Sequence, residues 1–143
     1  AAGGSAVALA AALLSQYVGG LFPCPLCIWQ RWPHVAAVLI GGLALALPGR
    51  VWPWLGALAA LATAGIGGFH AGVEYGWWEG LDTCAGPGIG GLSVEALLNP
   101  EIDVAPVVRC DEVAFAFLGI SMAGWNMLWS LALAGVWLAA ARR

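Results

Sequence analysis

The chain contains 143 residues, of which 62% are hydrophobic and only 9% are charged, and its formal net charge is −3. A soluble domain of this length cannot bury so large an apolar fraction, so the composition excludes a soluble globular protein and indicates a protein embedded in a lipid bilayer. We expect no nucleic-acid partner for a chain with only five basic residues.

Four charge-poor stretches predict four membrane-spanning helices. Each stretch can supply the roughly 20 residues that cross a bilayer as a helix. We therefore expect an all-α membrane protein, a four-transmembrane-helix bundle that forms a single integral membrane domain over 1–143. The expected elements are spans at about 3–21, 28–47, 53–73 and 121–141, and a long outer loop at about 75–120 between helices 3 and 4.

The first span is rich in Ala, Gly and Leu and carries no Asp, Glu, Lys, Arg or His. Small residues let helices approach closely in lipid, so we assign this span a packing role only. No basic segment precedes it, so it is not expected to be a cleaved signal peptide. The absent initiator Met indicates that upstream residues have been lost.

A pair of cysteines follows the first span in the segment Pro23-Cys24-Pro25-Leu26-Cys27. If Pro25 opens the next helix, Cys24 lies at the N-cap and Cys27 in the first turn. There the unpaired backbone N–H groups and the helix dipole favour a thiolate over a thiol. This motif predicts a redox-active pair.

Arg31 follows Cys27 by four residues, which places both on one helix face about 6 Å apart along the axis. A fixed positive charge there would lower the pKa of the thiol further. Arg31 could instead extend its charge toward the membrane surface, but its register with Cys27 favours a functional role. His34 is expected to be a polar residue at the membrane interface.

The third span ends with His70 and Glu74, which are four residues apart and therefore share a helix face. They form either a structural pair or a proton-handling pair, and the residues leave both possibilities open.

The outer loop contains the other two cysteines, Cys84 and Cys110. A bond between them would close a long loop and contribute about 3 to 4 kcal/mol, so a purely structural disulfide is one interpretation. Disulfide exchange with Cys24 and Cys27 is the other.

Within the loop Ser93 could cap a short helix over 94–98. Met122 and Trp125 fall at the outer end of the fourth span.

The positions of the charges predict the orientation. Arg50 lies between the second and third spans, and Arg142 and Arg143 follow the fourth, so the positive-inside rule places both termini in the cytoplasm. The four cysteines then lie on the outer side, which in a bacterium is the periplasmic side of the inner membrane. All eight acidic residues lie on that side too: Glu74, Glu79, Asp82, Glu95, Glu101, Asp103, Asp111 and Glu112.

Two kinds of metal centre are disfavoured by the spacing of the cysteines. A zinc site would normally pair Cys24-x-x-Cys27 with a second such motif, whereas Cys84 and Cys110 are far apart. Attachment of a c-type haem needs a histidine directly after the second cysteine, and Ile28 stands there. We therefore expect no metal.

The chain resembles the disulfide bond formation protein B (DsbB) family over nearly its whole length. The resemblance rests on these features in this order: Cys24-x-x-Cys27 with Arg31, the outer-loop pair Cys84 and Cys110, and the segment Phe117-Leu118-Gly119-Ile120-Ser121-Met122-Ala123-Gly124-Trp125.

The resemblance implies a quinone-dependent thiol oxidoreductase. Cys84 and Cys110 would form the disulfide that accepts electrons from a periplasmic thiol oxidase of the DsbA kind, with Cys84 forming the mixed disulfide. Cys24 and Cys27 would reoxidise that pair. Cys27 would pass the electrons to a quinone of the membrane pool, either ubiquinone or menaquinone.

The resemblance also implies residues that contact the quinone. Arg31 matches the family arginine that stabilises the thiolate and the reduced quinone, and Met122 and Trp125 match positions near the quinone. His70 matches such a position less directly. Gln30 stands where some members carry an acidic residue.

Two alternatives remain at this stage. A protein similar to vitamin K epoxide reductase would also combine four spans, two cysteine pairs and a quinone, but in that family the loop pair precedes the Cys-x-x-Cys. The other alternative is a non-enzymatic membrane scaffold whose disulfides only brace its outer face.

Overall fold

The computed structural model describes residues 1–85 and 108–143. This part of the chain is mostly helical. It contains four α-helices, one 3-10 turn and one short hairpin: α1 (Ala2–Tyr17), α2 (Pro25–Ala46), α3 (Val51–Glu74), the turn Asp82–Ala85, β1 (Ala116–Phe117), β2 (Ile120–Ser121) and α4 (Met122–Ala141). The helix suggested for 94–98 lies outside the described residues.

Two of the helices begin at side chains that cap them. Cys24 is the N-cap of α2, and its sulfur accepts a hydrogen bond from the backbone N–H of Cys27 at 3.2 Å. Pro25 occupies the first turn, where its missing N–H costs nothing. In α4 the hydroxyl of Ser121 accepts from the N–H of Gly124 at 3.2 Å. The predicted start of α2 at Pro25 is therefore confirmed.

The hairpin between β1 and β2 leads directly into α4. Ala116 pairs with Ser121 and Phe117 with Ile120. The two residues between them, Leu118 and Gly119, have φ angles of 53° and 77°, as a type I′ turn requires. The hairpin fixes where α4 begins, because its last residue is also the helix cap.

The helix α3 is central, and it packs against both α2 and α4. Its buried face carries small residues, among them Gly56, Ala57 and Ala60, and the two alanines form a cluster with Trp137 of α4. Without a hydrophobic driving force between helices in lipid, close approach through small residues is the main source of packing energy.

Two of the helices, α3 and α4, are long and apolar enough to cross a bilayer. The helix α1 is also apolar, but it has 16 residues and ends at Tyr17, short of the expected end of the first span at residue 21. Large apolar side chains point outward, with Leu45 93% exposed and Leu58 65% exposed. Surfaces of this kind are typical of proteins that contact lipid.

The packing of α3 against α4 can be tested at two glycines of α3. A methyl group added at Gly56 would lie 2.5 Å from the buried ring of Trp137, whereas one added at Gly65 would meet nothing within 4 Å. We expect Gly56→Ala to destabilise the protein by about 1 to 3 kcal/mol through overpacking. The matched control Gly65→Ala should be neutral or slightly stabilising. Thermal unfolding in detergent measures both, and equal midpoints would contradict this packing.

Candidate active site

Cysteines from distant parts of the chain meet where α2 begins and α3 ends. Cys24, Cys84 and Cys110 form one buried cluster with apolar side chains of α2 and α3, and Cys27 packs against it. Their exposed fractions are 3%, 5% and 0%, respectively. The two cysteine pairs are therefore neighbours, although at least 57 positions of sequence separate Cys27 from Cys84.

The two pairs differ in oxidation state. Cys84 and Cys110 are joined by a disulfide, whereas Cys24 and Cys27 are free. The thiol of Cys24 donates a hydrogen bond to the sulfur of Cys27 at 2.8 Å. One oxidised pair in contact with one reduced pair is an arrangement from which thiol–disulfide exchange can proceed.

The hydrogen bond between the two thiols changes their pKa values in opposite directions. Accepting it lowers the pKa of Cys27, which lies just before the expected span at 28–47, while burial acts in the opposite direction. The charge of Arg31 makes a smaller contribution that lowers the pKa of Cys27. Donating the bond raises the pKa of Cys24, and burial raises it further. The thiolate therefore forms at Cys27 and not at the N-cap, and the effect predicted for Arg31 on Cys27 is present but smaller than that of the hydrogen bond.

Arg31 is held by a residue that the sequence did not single out. Its Nη1 donates to Oε1 of Gln16 in α1 at 2.7 Å. Its Nε is buried and has no hydrogen-bond partner within the described residues. The helix α1 thus does more than pack, because Gln16 holds the guanidinium of Arg31.

His70 lies beside the first cysteine of the pair. Its Nε2 is 3.5 Å from the sulfur of Cys24 and 3.8 Å from Oε1 of Glu74, and the ring is 3% exposed. Its Nδ1 is 2.9 Å from the amide nitrogen of Gln30. The predicted proximity of His70 and Glu74 is confirmed, and the structure adds Cys24 and Gln30 as neighbours.

A cavity of about 450 Å³ lies between α1, α2, α4 and the segment before the hairpin. Its walls are mainly apolar. All five residues that the sequence proposed for cofactor binding line it: Cys27, Arg31, His70, Met122 and Trp125. The indole N–H of Trp125 donates to the carbonyl of Phe117 at 3.0 Å, so the hairpin orients this wall. Cys84 and Cys110 are not lining residues, and Cys24 lies between the cavity and their disulfide.

Three metal-binding side chains also come together, which the sequence did not foresee. The ligand atoms of Cys24, Cys27 and His70 lie within 4.8 Å of one another. However, the amide of Gln30 donates to Nδ1 of His70, so the ring proton resides on Nε2, the nitrogen that faces the sulfurs. A protonated nitrogen cannot coordinate a metal, and we assign no metal site.

Polar side chains in the middle of the bundle are the main feature that the sequence analysis missed. His34 was expected to be a polar interface residue; the structure buries it to 3% exposure between the helices, where it donates to Asn126 of α4. Asn126 in turn contacts Gln30 and Thr63. The available signal was a set of polar residues within apolar spans, which lipid makes costly unless they contact one another.

A buried disulfide beside a dithiol, at the edge of an apolar cavity, is the site of a thiol–disulfide exchange protein. A family model described as disulfide bond formation protein DsbB matches residues 1–140. The chain is 37% identical over 142 residues to disulfide bond formation protein B of Methylococcus capsulatus, covering 90% of this chain and 82% of the relative. It is 36% identical over 128 residues to the protein of the same name from Verminephrobacter eiseniae, covering 84% and 70%, respectively. No solved structure matches the chain. The chain therefore belongs to the DsbB family.

The difference in pKa between Cys24 and Cys27 can be tested with two matched variants. In Cys24→Ala, Cys27 loses its hydrogen-bond donor, so its pKa should rise and its alkylation by iodoacetamide should shift to higher pH. In Cys24→Ser a hydroxyl can still donate, and the midpoint should stay lower. In both variants Cys27 is the only cysteine outside the disulfide. Identical pH profiles would show that the hydrogen bond does not control Cys27.

Proposed function

We propose that the protein is a quinone-linked protein disulfide oxidoreductase of the bacterial inner membrane. It would reoxidise a DsbA-like periplasmic dithiol oxidase by disulfide exchange and pass the electrons to membrane quinone. The observation that carries this proposal is the contact of both cysteine pairs at the edge of an apolar cavity that Arg31 also lines. Membership of a family of disulfide bond formation proteins supports the same chemistry.

The proposed topology has four membrane spans at about 3–21, 28–47, 53–73 and 121–141 and both termini in the cytoplasm. The lengths of the helices α2, α3 and α4 agree with it, since they have 22, 24 and 20 residues. Arg50 precedes α3 and Arg142 follows α4, whereas the cysteine cluster lies at the opposite ends of these helices. The positive-inside rule then places the cysteines on the periplasmic side.

Electron transfer begins at the outer-loop disulfide. The thiolate of the soluble partner attacks the sulfur of Cys84, the Cys84–Cys110 bond breaks, and its electron pair stays on Cys110 as a thiolate. Cys84 is the better target because it is 5% exposed, whereas Cys110 is fully buried. The second thiol of the partner then attacks the mixed disulfide and releases Cys84, and the partner leaves oxidised.

Exchange between the two pairs follows when Cys24 and Cys27 are joined as a disulfide. The Cys110 thiolate attacks the sulfur of Cys24, with which it shares a buried cluster, and the Cys24–Cys27 bond breaks. The electron pair stays on Cys27. Cys24 has no proton to donate in this step, but the charge of Arg31 still lowers the pKa of Cys27 and so favours Cys27 as the leaving group.

The cavity has the properties that a quinone head group needs. Met122 and Trp125 offer apolar and aromatic walls, and the unpartnered Nε of Arg31 offers a charged donor for a quinone oxygen. When bound there, a quinone would accept two electrons and two protons and become a quinol. Arg31 would stabilise negative charge on Cys27 and on the reduced ring. Ubiquinone and menaquinone both fit this description.

The decisive experiment measures quinone-dependent oxidation of a reduced thioredoxin-fold protein by the purified membrane protein. A non-enzymatic scaffold would give none. A protein similar to vitamin K epoxide reductase would require its cysteine pairs in the reverse order along the chain.

The role of Arg31 can be separated from that of the cysteines. We expect Arg31→Ala to slow quinone reduction at least about tenfold, because a charged hydrogen bond is lost, and to leave thiol exchange with the partner within about twofold. Arg50→Ala removes the same charge at the far end of α3 and should change neither rate. Single-turnover measurements of the two half-reactions test this. Equal losses in both would contradict the division.

The topology predicts that two exposed positions label from opposite sides. In a cysteine-free background, Asp82→Cys should react with a membrane-impermeant maleimide in spheroplasts, whereas Gly49→Cys should react only after permeabilisation. Both should react in detergent. Labelling of both positions from the outside would rule out the proposed arrangement of the spans.

A further inference from the structure

A continuous row of hydrogen-bonded side chains runs between α2, α3 and α4 and ends at the first cysteine. It connects His34, Asn126, Gln30 and His70, and Thr63 joins it from the side. Each of the four side chains in the row is bonded to the next at 2.7 to 2.9 Å. The direction in which each bond points follows from groups in the row that can only accept.

The first such group is the backbone carbonyl of Gln30. The hydroxyl of Thr63 lies 3.1 Å from this carbonyl and must donate to it. Having given its only hydrogen, Thr63 can only accept from Asn126, which lies 3.2 Å away. The amide nitrogen of Asn126 therefore faces Thr63, and its oxygen faces His34.

The second such group is the backbone carbonyl of Leu26. It lies 3.2 Å from one end of the Gln30 amide, which must be the nitrogen because a carbonyl offers no hydrogen. The other end, Oε1, then accepts from the amide nitrogen of Asn126 at 2.7 Å. The backbone carbonyls of Gln30 and Leu26 thus lead independently to the same result: the Asn126 amide nitrogen donates to Gln30 Oε1.

The row fixes which nitrogen of His70 carries the proton. The amide nitrogen of Gln30 donates to Nδ1 at 2.9 Å, so Nδ1 is an acceptor and the proton resides on Nε2. Nε2 faces two groups that can accept a hydrogen bond, the sulfur of Cys24 at 3.5 Å and Oε1 of Glu74 at 3.8 Å. The neighbours of Nδ1 and of Nε2 therefore both indicate that the proton is on Nε2.

We propose that Gln30 and Asn126 are positioning residues that hold His70 as the Nε2–H tautomer and so aim an N–H donor at the sulfur of Cys24. The side-chain hydrogen bonds of Gln30 and Asn126 go to Leu26, His34, Thr63 and His70 and to each other, and none of them goes to a cysteine. They act through the imidazole ring, which they orient and whose proton they place.

This donor is needed in one step of the proposed function, on which the inference rests. Once Cys24 is bonded to Cys110, the thiolate of Cys84 attacks Cys110, the Cys84–Cys110 bond forms and the Cys110–Cys24 bond breaks. The electron pair stays on Cys24. As that sulfur becomes charged, it becomes a stronger acceptor than the thiol was, and the N–H of His70 stabilises it.

Several charged or titratable groups face this site, and they are the same in the two variants that each comparison below sets side by side. Glu74 comes from α3, Cys27 and Arg31 from α2, and Arg109 and Glu112 from the segment before the hairpin. The helix α4 contributes Asn126 to this site and contains no charged residue.

The first test needs no substitution at Gln30, Asn126 or His70. The chain contains only two histidines, so labelling with ¹⁵N-histidine gives two rings. At neutral pH, the ¹⁵N chemical shifts of the purified protein should show His70 protonated at Nε2 and bare at Nδ1. The variant His34→Gln assigns the signals. A proton on Nδ1 of His70, or on both nitrogens, would overturn the proposal.

The second test measures the effect on Cys24. In a Cys27→Ala background Cys24 is the only cysteine outside the disulfide, and it lines the cavity. Adding Gln30→Met removes the donor to His70 at similar side-chain length. The pH profile of Cys24 alkylation should then move up by about one unit, a tenfold lower rate at fixed pH, as expected for a lost hydrogen bond to a charged group.

The control for this test is Ser130→Ala in the same background. Ser130 is a buried residue of α4 whose hydroxyl has no partner within the described residues, and its loss should leave the profile unchanged. An unchanged profile in the Gln30→Met variant, or a rate reduced equally at every pH, would overturn the proposal. Neither test uses quinone or the soluble partner, so their outcome is independent of whether the proposed function is correct.

Discussion

The contact between the start of α2 and the loop disulfide is the constraint on which the site depends. Cys24 caps the helix, touches the sulfur of Cys27 and packs in one cluster with Cys84 and Cys110. If this contact were lost, the dithiol would still lie at the cavity, but no disulfide would be within its reach. The buried cluster holds the two redox centres together, and the helix start holds one of them at the edge of the apolar interior.

The parts of this site that the sequence predicted are local in the chain. A proline one residue after Cys24 starts a helix, and a helix places Arg31 one turn from Cys27. The pair His70 and Glu74 follows from the same spacing. These predictions held because backbone geometry alone determines them, whereas the contact between the two cysteine pairs was implied only by resemblance to a family.

The parts that sequence reasoning missed depend on which helix faces meet. Nothing near Arg31 in the chain indicates that Gln16 binds it, and nothing near Gln30 indicates Asn126, which lies 96 positions away. A polar residue in an apolar span shows that a partner must exist, but it does not identify that partner. The sequence predicted the effect of Arg31 on the pKa of Cys27 but not the larger effect of the hydrogen bond from Cys24, which depends on which sulfur donates to the other.

The small side chains of α1 have a consequence for what the protein can accommodate. Most of the α1 residues that line the cavity are small, among them Ala8, Ala11, Ala12 and Ser15. The volume available to a ligand therefore depends on the small size of these α1 side chains, none of which takes part in disulfide exchange. Relatives could change the head group that they accept by enlarging or trimming these few residues, with every reacting sulfur left in place.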